Sequence, residues 1–376
     1  MSNPYGYNIL NIPDKGAFLS HIRRLRPKAL LFFQHEIDFA RQVHDEFPDM
    51  VVIIRHWPDG EVHKYMTATQ WIDTFQSHAQ GGLYLQTTNE SGLDKAVIDW
   101  HVQVMNLAIQ RGIRLCLLNP ATGTWDNPNY SVMRPVLELA GKHRDLFIIG
   151  LHSYAGGVIT SGIAGGYPGN AGVASSPNDA PGTKGRNLIP QSLWPKRDEI
   201  LHTTTFHIGR HSWIMNYCHD NNIPMPRFAL TETGFDYLGD IGAWLNTLDH
   251  SGFDGVNGWH TLRSQWAAWW GISGEQAYFE QLKYAAENLL IGLEFALLFA
   301  YGDDGSWPNY NVANSALPAL LEGLNTTPPP PPVPPTPPPD VLDTAALLAL
   351  VEELENDAIE LTRKLSTVYD AIKALK

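Results

Sequence analysis

The chain has 376 residues, with 26 Lys and Arg against 39 Asp and Glu and a formal net charge of −13. This acidic balance argues against nucleic-acid binding and favours a soluble protein with neutral partners. Cys116 and Cys218 fall in separate predicted elements, so no disulfide framework is expected. The chain starts without a basic region followed by an apolar core, so we expect no signal peptide. The apolar stretch 289–301 is too short for a membrane span.

Apolar runs alternate with amphipathic stretches as far as about residue 325. Eight runs predict strands: 6–10, 29–33, 51–56, 83–87, 113–118, 146–151, 228–230 and 294–300. Five stretches predict helices: 16–25, 39–47, 69–79, 93–110 and 206–221. Near-continuous apolar runs are typical of parallel strands buried on both faces. The alternation predicts an α/β fold, a (β/α)₈ TIM barrel that occupies residues 1–325.

Two glutamates follow strand-like runs and are expected at one end of this barrel. Glu90 comes after the fourth predicted strand and Glu232 after the seventh. Active sites of such barrels lie at the carboxyl ends of the strands, so both side chains should reach the same mouth. A pair of carboxylates is the minimal machinery of glycoside hydrolysis. The alternative for each residue alone is a helix N-cap or a surface carboxylate.

The pattern of Asn89-Glu90 after strand four and Glu232 after strand seven resembles the clan A glycoside hydrolases, the retaining 4/7 superfamily. The resemblance covers residues 1 to about 325. It implies that Glu90 is the general acid/base and Glu232 the nucleophile of a double displacement on a β-linked polysaccharide. It also implies that Asn89 binds the sugar 2-hydroxyl.

Two further groups match the clan. His152 and Tyr154 follow strand six, and Arg55 and His56 follow strand three. The resemblance implies that a strand-six Tyr or His contacts the nucleophile and that an Arg keeps it ionised. All four side chains are therefore expected to bind substrate or to support the carboxylate pair.

The end of strand eight departs from the clan, which usually has a Trp there. This chain has Tyr301, with Trp307 several residues later, so either ring is a candidate sugar platform. Trp57 and Trp125 fall in strand-end loops and are expected to line a sugar cleft, because flat rings suit the apolar faces of pyranose units.

A retaining mechanism needs one protonated and one ionised carboxyl group about 5–5.5 Å apart, whereas about 6.5–9.5 Å favours inversion. The charge of Glu232 and a partly apolar mouth should raise the pKa of Glu90. Arg55 and the Tyr154 hydroxyl should instead stabilise the ionised form of Glu232.

We expect no metal and no cofactor. His207 and His211 have helical spacing but no third ligand nearby, and they are interpreted as surface or packing residues. No Gly-x-Gly-x-x-Gly follows a predicted strand, so a dinucleotide site is not expected. The loop at 155–195 is rich in small residues and should overhang the cleft, where Trp194 is a candidate sugar contact.

The tail divides into a linker and a helix. Ten of the twelve residues from Pro328 to Pro339 are Pro, so residues 326–340 predict an extended polyproline linker. Residues 341–376 carry apolar side chains at 4-3-4-3 spacing from Leu347 to Leu375, which predicts a self-associating coiled-coil helix. Dimer and trimer both remain open, and the alternative is a single helix docked on the barrel.

Together these patterns favour a retaining β-glycoside hydrolase of the polysaccharide-degrading kind, made multivalent by its tail. One alternative is a phage- or cell-surface-associated polysaccharide depolymerase or wall hydrolase. The other is a non-catalytic carbohydrate-binding barrel displayed on an oligomeric stalk. An extracellular or virion-associated location fits either alternative.

The tail generates a prediction about assembly. A chain truncated after Thr327 should be a folded monomer, because few contacts are expected across a polyproline linker. The peptide 340–376 alone should associate, since a lone helix would expose its apolar seam to water. Light scattering on the three species measures this. A monomeric full-length chain at micromolar concentration, or an unfolded truncated barrel, would rule out the coiled coil.

Overall fold

The computed structural model describes residues 3–56, 61–121, 130–155, 211–235, 258–270, 272–288, 290, 292–303 and 305–326. Residues 327–376, with most of the predicted linker and the whole predicted coiled coil, lie outside this range. Among the described residues, no helix is long and apolar enough to cross a bilayer.

Eight parallel strands close into a barrel in sequence order, so the predicted barrel is confirmed. The strands are β1 (Tyr5–Ile9), β2 (Ala29–Phe33), β3 (Val51–Arg55), β4 (Tyr84–Gln86), β5 (Arg114–Leu118), β6 (Phe147–Ala155), β7 (Phe228–Phe235) and β8 (Leu293–Tyr301). Strands β6 and β7 extend beyond their predicted ends. Glu232 therefore lies inside a strand and not at its end.

The described α-helices surround these strands. They are α1 (Lys15–Leu25), α2 (Ile37–Glu46), α3 (Ala68–Phe75), α4 (Lys95–Arg111), α5 (Arg134–Lys142), α6 (His211–Asp220), α7 (Trp259–Trp270), α8 (Gly274–Asn288) and α9 (Leu317–Glu322). Local sequence fixes several of their ends. The Asp14 side chain accepts from Ala17 N at 2.9 Å to begin α1, and Thr67 with Gln70 forms a capping box at α3.

Alternating strand side chains form two apolar layers. One layer fills the barrel and contains residues such as Leu31, Ile53 and Leu297. The other lies between strands and helices and includes Phe18 and Ile54. Burial on both faces explains why the strands read as continuous apolar runs. Polar side chains that point into the barrel near its carboxyl end interrupt this pattern, and they form the candidate site.

Candidate active site

Glu232 is the buried member of the carboxylate pair, with 5% of its surface exposed. Its Oε1 accepts from Arg55 Nη1 at 2.5 Å and from Asn8 Nδ2 at 3.2 Å. Its Oε2 accepts from the Tyr154 hydroxyl at 2.9 Å. Burial, followed by the charge of Glu232, raises the pKa of Tyr154, so its hydroxyl keeps the proton that it donates.

These three donors come from different strands, Asn8 from β1, Arg55 from β3 and Tyr154 from β6. Removing a carboxylate from water is costly unless it is paired and hydrogen-bonded. Closure of the barrel supplies that compensation, because it brings three distant strands around one side chain. Arg55 and Tyr154 thus contact Glu232, as the sequence predicted.

Glu90 has a different environment. It lies in the loop that follows β4, its backbone has φ = 56°, and 50% of its side chain is exposed. Its backbone N–H donates to the carbonyl of Asn119 at 2.8 Å, which fixes the loop against the end of β5. The N-cap of α4 is Asp94, whose side chain accepts from Val97 N at 3.0 Å. Glu90 is therefore not a helix cap.

His152 lies between the two carboxylates. Its side chain is fully buried, and its Nδ1 is 3.4 Å from Glu90 Oε1 and 3.4 Å from Glu232 Oε2. One ligand-capable atom from each of the three residues lies within 4.8 Å of the others. Strands β6 and β7 place His152 directly beside Glu232 in the sheet, through a register shift after Leu151.

The expected rise in the pKa of Glu90 is wrong for the ligand-free protein. A hydrogen bond with His152 lowers the pKa of Glu90, with smaller contributions in the same direction from the charges of His152 and Arg55. Desolvation acts in the opposite direction but is weaker, because half of the side chain remains in water. The neighbour that decides the direction of the shift is therefore His152, and not Glu232.

Two carboxylates and one imidazole also form a donor set for a divalent cation. The surroundings of Glu232 do not suit one. Its two oxygens already accept from Arg55 and Tyr154, and the guanidinium supplies a positive charge at 2.5 Å. A cation would have to displace or approach that charge. The arrangement is better suited to proton and covalent chemistry.

Asn89 lies beside Glu90 and is held by its own strand. Its Oδ1 accepts from Gln86 Nε2 at 3.1 Å, and the same Nε2 donates to the carbonyl of Thr88 at 3.1 Å. The Asn89 side-chain oxygen is thereby occupied, and its amide N–H groups are the ones suited to a ligand hydroxyl.

His56 follows Arg55 at the end of β3, and its side chain contacts residues other than the two carboxylates. Its ring stacks on Phe75 at 4.1 Å, and its Nδ1 is 3.2 Å from Gln34 Oε1. Burial and the neighbouring His78 lower its pKa to about 3, so the ring is neutral. A small cavity connects His56 with Asn89, and the exposed ring of Tyr65 forms part of its lining.

Tyr301, one of the two candidate sugar platforms, lies on the outer face of β8 and not inside the barrel. Its ring packs against Phe18 at 4.8 Å, in the layer between strands and helices. The reason is a bulge in the pairing of β1 with β8: Asn8 pairs with Phe299, but Ile9 pairs with Tyr301. The extra residue turns Tyr301 outward, to the face that Ile9 occupies.

Phe299 and Trp307 occupy the mouth instead. Trp307 is 41% exposed, and its ring meets Phe299 at 5.6 Å and Tyr310 at 5.7 Å. Both of these rings contact Tyr154, at 6.3 and 6.2 Å. A chain of ring contacts therefore extends from Tyr154, the partner of Glu232, through buried rings to the exposed indole of Trp307.

The structure thus brings Glu90, Glu232, Arg55, His152 and Tyr154 together, with Asn89 adjacent. Trp57, Trp125 and Trp194 lie outside the described residues. Three contributors were not predicted from the sequence: Asn8, Tyr65 and Asn119. Asn8 had a usable signal, because an amide inside an apolar strand requires a buried partner.

These contacts predict how Glu90 titrates. In carboxyl-labelled protein, NMR should find the pKa of Glu90 below the usual glutamate range, because His152 stabilises its charged form. His152→Phe removes that donor, so the pKa of Glu90 should rise. His219→Asn is the control, since that histidine is 85% exposed and its ion-pair partner is its neighbour Asp220. An unchanged or lower pKa in His152→Phe would contradict the assignment.

Comparison with known proteins adds little. No protein-family model matches the chain, and no curated protein sequence is similar to it. One solved structure that the chain matches is a family 39 glycoside hydrolase from Bacteroides cellulosilyticus WH2, at 14% identity and a TM-score of 0.35, covering 62% of this chain and 49% of that one. Another is a beta-glucosidase from Thermotoga maritima in complex with galacto-hydroximolactam, at 11% identity and a TM-score of 0.35, covering 78% of each chain.

This chain spans about half the length of the family 39 structure that it matches. Similarity this low carries no argument about activity. The barrel is established by its own strand pairing, and any function has to be argued from the site.

Proposed function

We propose that this protein is a retaining glycoside hydrolase in which Glu232 is the nucleophile and Glu90 the general acid/base. The observation that carries the proposal is the carboxylate pair itself. One oxygen of each group lies within 4.8 Å of the other, at the carboxyl end of a TIM barrel. This spacing is close to the separation of about 5–5.5 Å typical of retention and shorter than the separation of about 6.5–9.5 Å typical of inversion.

The different surroundings of the two groups support their assignment. Glu232 is buried and held by Arg55, Asn8 and Tyr154, so its carboxylate is oriented for attack on an anomeric carbon. Glu90 is half exposed, so it can exchange protons with solvent and with an entering water. A nucleophile needs fixed charge, whereas an acid/base needs access to protons.

Double displacement follows from these roles. Glu232 attacks the anomeric carbon while Glu90 gives its proton to the departing glycosidic oxygen. The sugar is then held as an ester of Glu232, and Glu90 is ionised. Glu90 next takes a proton from water, the water oxygen bonds to the anomeric carbon, and Glu232 leaves as a carboxylate.

The lowered pKa of Glu90 has to be reversed before the first step. A sugar that covers the exposed half of Glu90 removes water from it, and desolvation raises a carboxyl pKa. Substrate binding thereby favours the protonated acid. An acidic pH optimum is the corresponding expectation, since lowering the pH supplies the same proton.

The surrounding side chains suit a carbohydrate. Trp307 is 41% exposed and Tyr65 is 56% exposed, and Tyr65 lines the same small cavity as Asn89. Exposed rings of this kind bind the apolar faces of sugar rings while their polar edges face water. Asn89 adds an amide donor beside Glu90 for a sugar hydroxyl. A substrate screen identifies the sugar and its linkage.

The test is the pair of variants Glu90→Gln and Glu232→Gln, measured on a panel of aryl β-glycosides. Both should lose nearly all turnover on substrates with poor leaving groups. With an activated aryl group, Glu90→Gln should recover the first step, because that leaving group needs no acid, whereas Glu232→Gln should not. Azide should give a β-azide with Glu90→Gln and an α-azide with Glu232→Gln.

The control is Glu294→Gln, which changes a carboxylate at the amino-terminal end of β8, paired with Arg227 at 3.1 Å, and should retain turnover. More than a few per cent of wild-type turnover in either site variant, on a poor leaving group, would contradict the roles. A wild-type protein that binds oligosaccharides but hydrolyses none would identify a carbohydrate-binding barrel instead.

A further inference from the structure

A buried asparagine at the end of β5 connects the loop that carries Glu90 with the strand that carries Glu232. Asn119 has no exposed surface, and its backbone is in the left-handed region at φ = 47°. Asn and Gly adopt this conformation most readily. No step of the proposed reaction uses this side chain.

Asn119 fixes the Glu90 loop by two hydrogen bonds. Its carbonyl accepts from the backbone N–H of Glu90 at 2.8 Å, and its Nδ2 donates to the carbonyl of Thr88 at 3.1 Å. Glu90 itself has a left-handed backbone at φ = 56°, so the loop is strained at the residue that carries the carboxylate. The two bonds hold it in that conformation.

The same side chain also reaches β7. Thr231, the residue before Glu232, donates its Oγ1 proton to Asn119 Oδ1 at 2.8 Å. The Oδ1 atom of Asn119 therefore bonds to β7, the strand that carries Glu232. Its Nδ2 atom bonds to the loop that carries Glu90. The backbone N–H of Asn119 also donates to the carbonyl of Gly150 on β6, at 3.1 Å.

The side chain of Asn119 packs closely against Gly150 on β6. A Cβ atom at Gly150 would lie 1.9 Å from Asn119 Oδ1 and 2.9 Å from Cys116 Sγ. The glycine on β6 thus makes room for the amide. An aspartate in place of Asn119 would direct a carboxylate oxygen at the carbonyl of Thr88, which is repulsive.

We propose that Asn119, with Thr231 as its partner, is a positioning residue that sets the distance between Glu90 and Glu232. This inference rests on the proposed function. Asn119 does not touch substrate in the proposed reaction and acts through Thr231 and the Glu90 loop. A retaining reaction depends on that separation, and a misplacement of about 1 Å costs on the order of 100-fold in rate.

The experiment uses the full-length chain and the aryl glycoside that the wild-type protein hydrolyses best. Asn119→Gly keeps the left-handed backbone and removes the amide, so kcat should fall about 100-fold with little change in KM. Thr231→Val should cause a smaller fall in kcat. Thr231→Ser keeps the hydroxyl, so its kcat should be close to that of the wild type. In the double variant Asn119→Gly/Thr231→Val, the second change should add nothing, because the bond is already absent.

Thr233→Val is the matched control. Thr233 lies two residues further along β7, is 3% exposed, and donates to the Ser153 carbonyl at 2.8 Å. Thr233→Val loses a buried hydroxyl hydrogen bond of the same length as the bond between Thr231 and Asn119. The lost bond does not involve Asn119. The variant should keep near wild-type kcat. A second readout is the carboxyl titration of Glu90, whose pKa should rise in Asn119→Gly as the loop moves away from His152.

Equal losses in Thr231→Val and Thr233→Val would show general loosening of β7 and overturn the inference. The inference would also be overturned if the kcat losses of Asn119→Gly and Thr231→Val multiplied in the double variant. A kcat above one third of wild type in Asn119→Gly would overturn it as well. If Asn119→Gly does not fold, the three threonine variants decide the matter alone. A wild-type protein without glycosidase activity would instead remove the proposed function, and this inference with it.

Discussion

The buried ion pair of Arg55 and Glu232 is the interaction on which the site depends. Their side chains are 8% and 7% exposed, and 2.5 Å separates Nη1 from Oε1. Removing one partner of such a pair typically costs about 3–5 kcal/mol, since it leaves an uncompensated charge. The barrel can hold this carboxylate only because β1, β3 and β6 each direct a donor at it. This carboxylate is the nucleophile of the proposed reaction.

The two carboxylates differ in ways that follow from their places in the chain. Glu232 lies within a strand, so its backbone is fixed by neighbours on both sides and its side chain points into the barrel. Glu90 lies in a loop, with a strained backbone and water on one side. His152 couples them, because one nitrogen is 3.4 Å from each. The imidazole is therefore the side chain that lies within reach of both carboxylates.

Much of this arrangement could be read from the sequence, and the exceptions have physical causes. The strands were predictable because burial on both faces produces continuous apolar runs, and the closed barrel then placed Glu90 and Glu232 at one end. The direction of the Glu90 pKa was not predictable, since it depends on His152 lying nearer than a strand count can show. Tyr301 was misplaced because the one-residue bulge between β1 and β8 has no signal in the pattern. Asn119 was missed because its role is made of contacts with strands distant in sequence.

The central claim is that Glu232 forms a covalent bond with the sugar. A 2-deoxy-2-fluoro glycoside with a good leaving group, made from the sugar that the screen identifies, slows hydrolysis of that bond and lets the ester accumulate. Mass spectrometry of the digested protein should find one added fluorosugar, on the peptide that contains Glu232, and none in Glu232→Gln. A label on Glu90 or on another residue, or an active enzyme that never becomes labelled, would contradict the account.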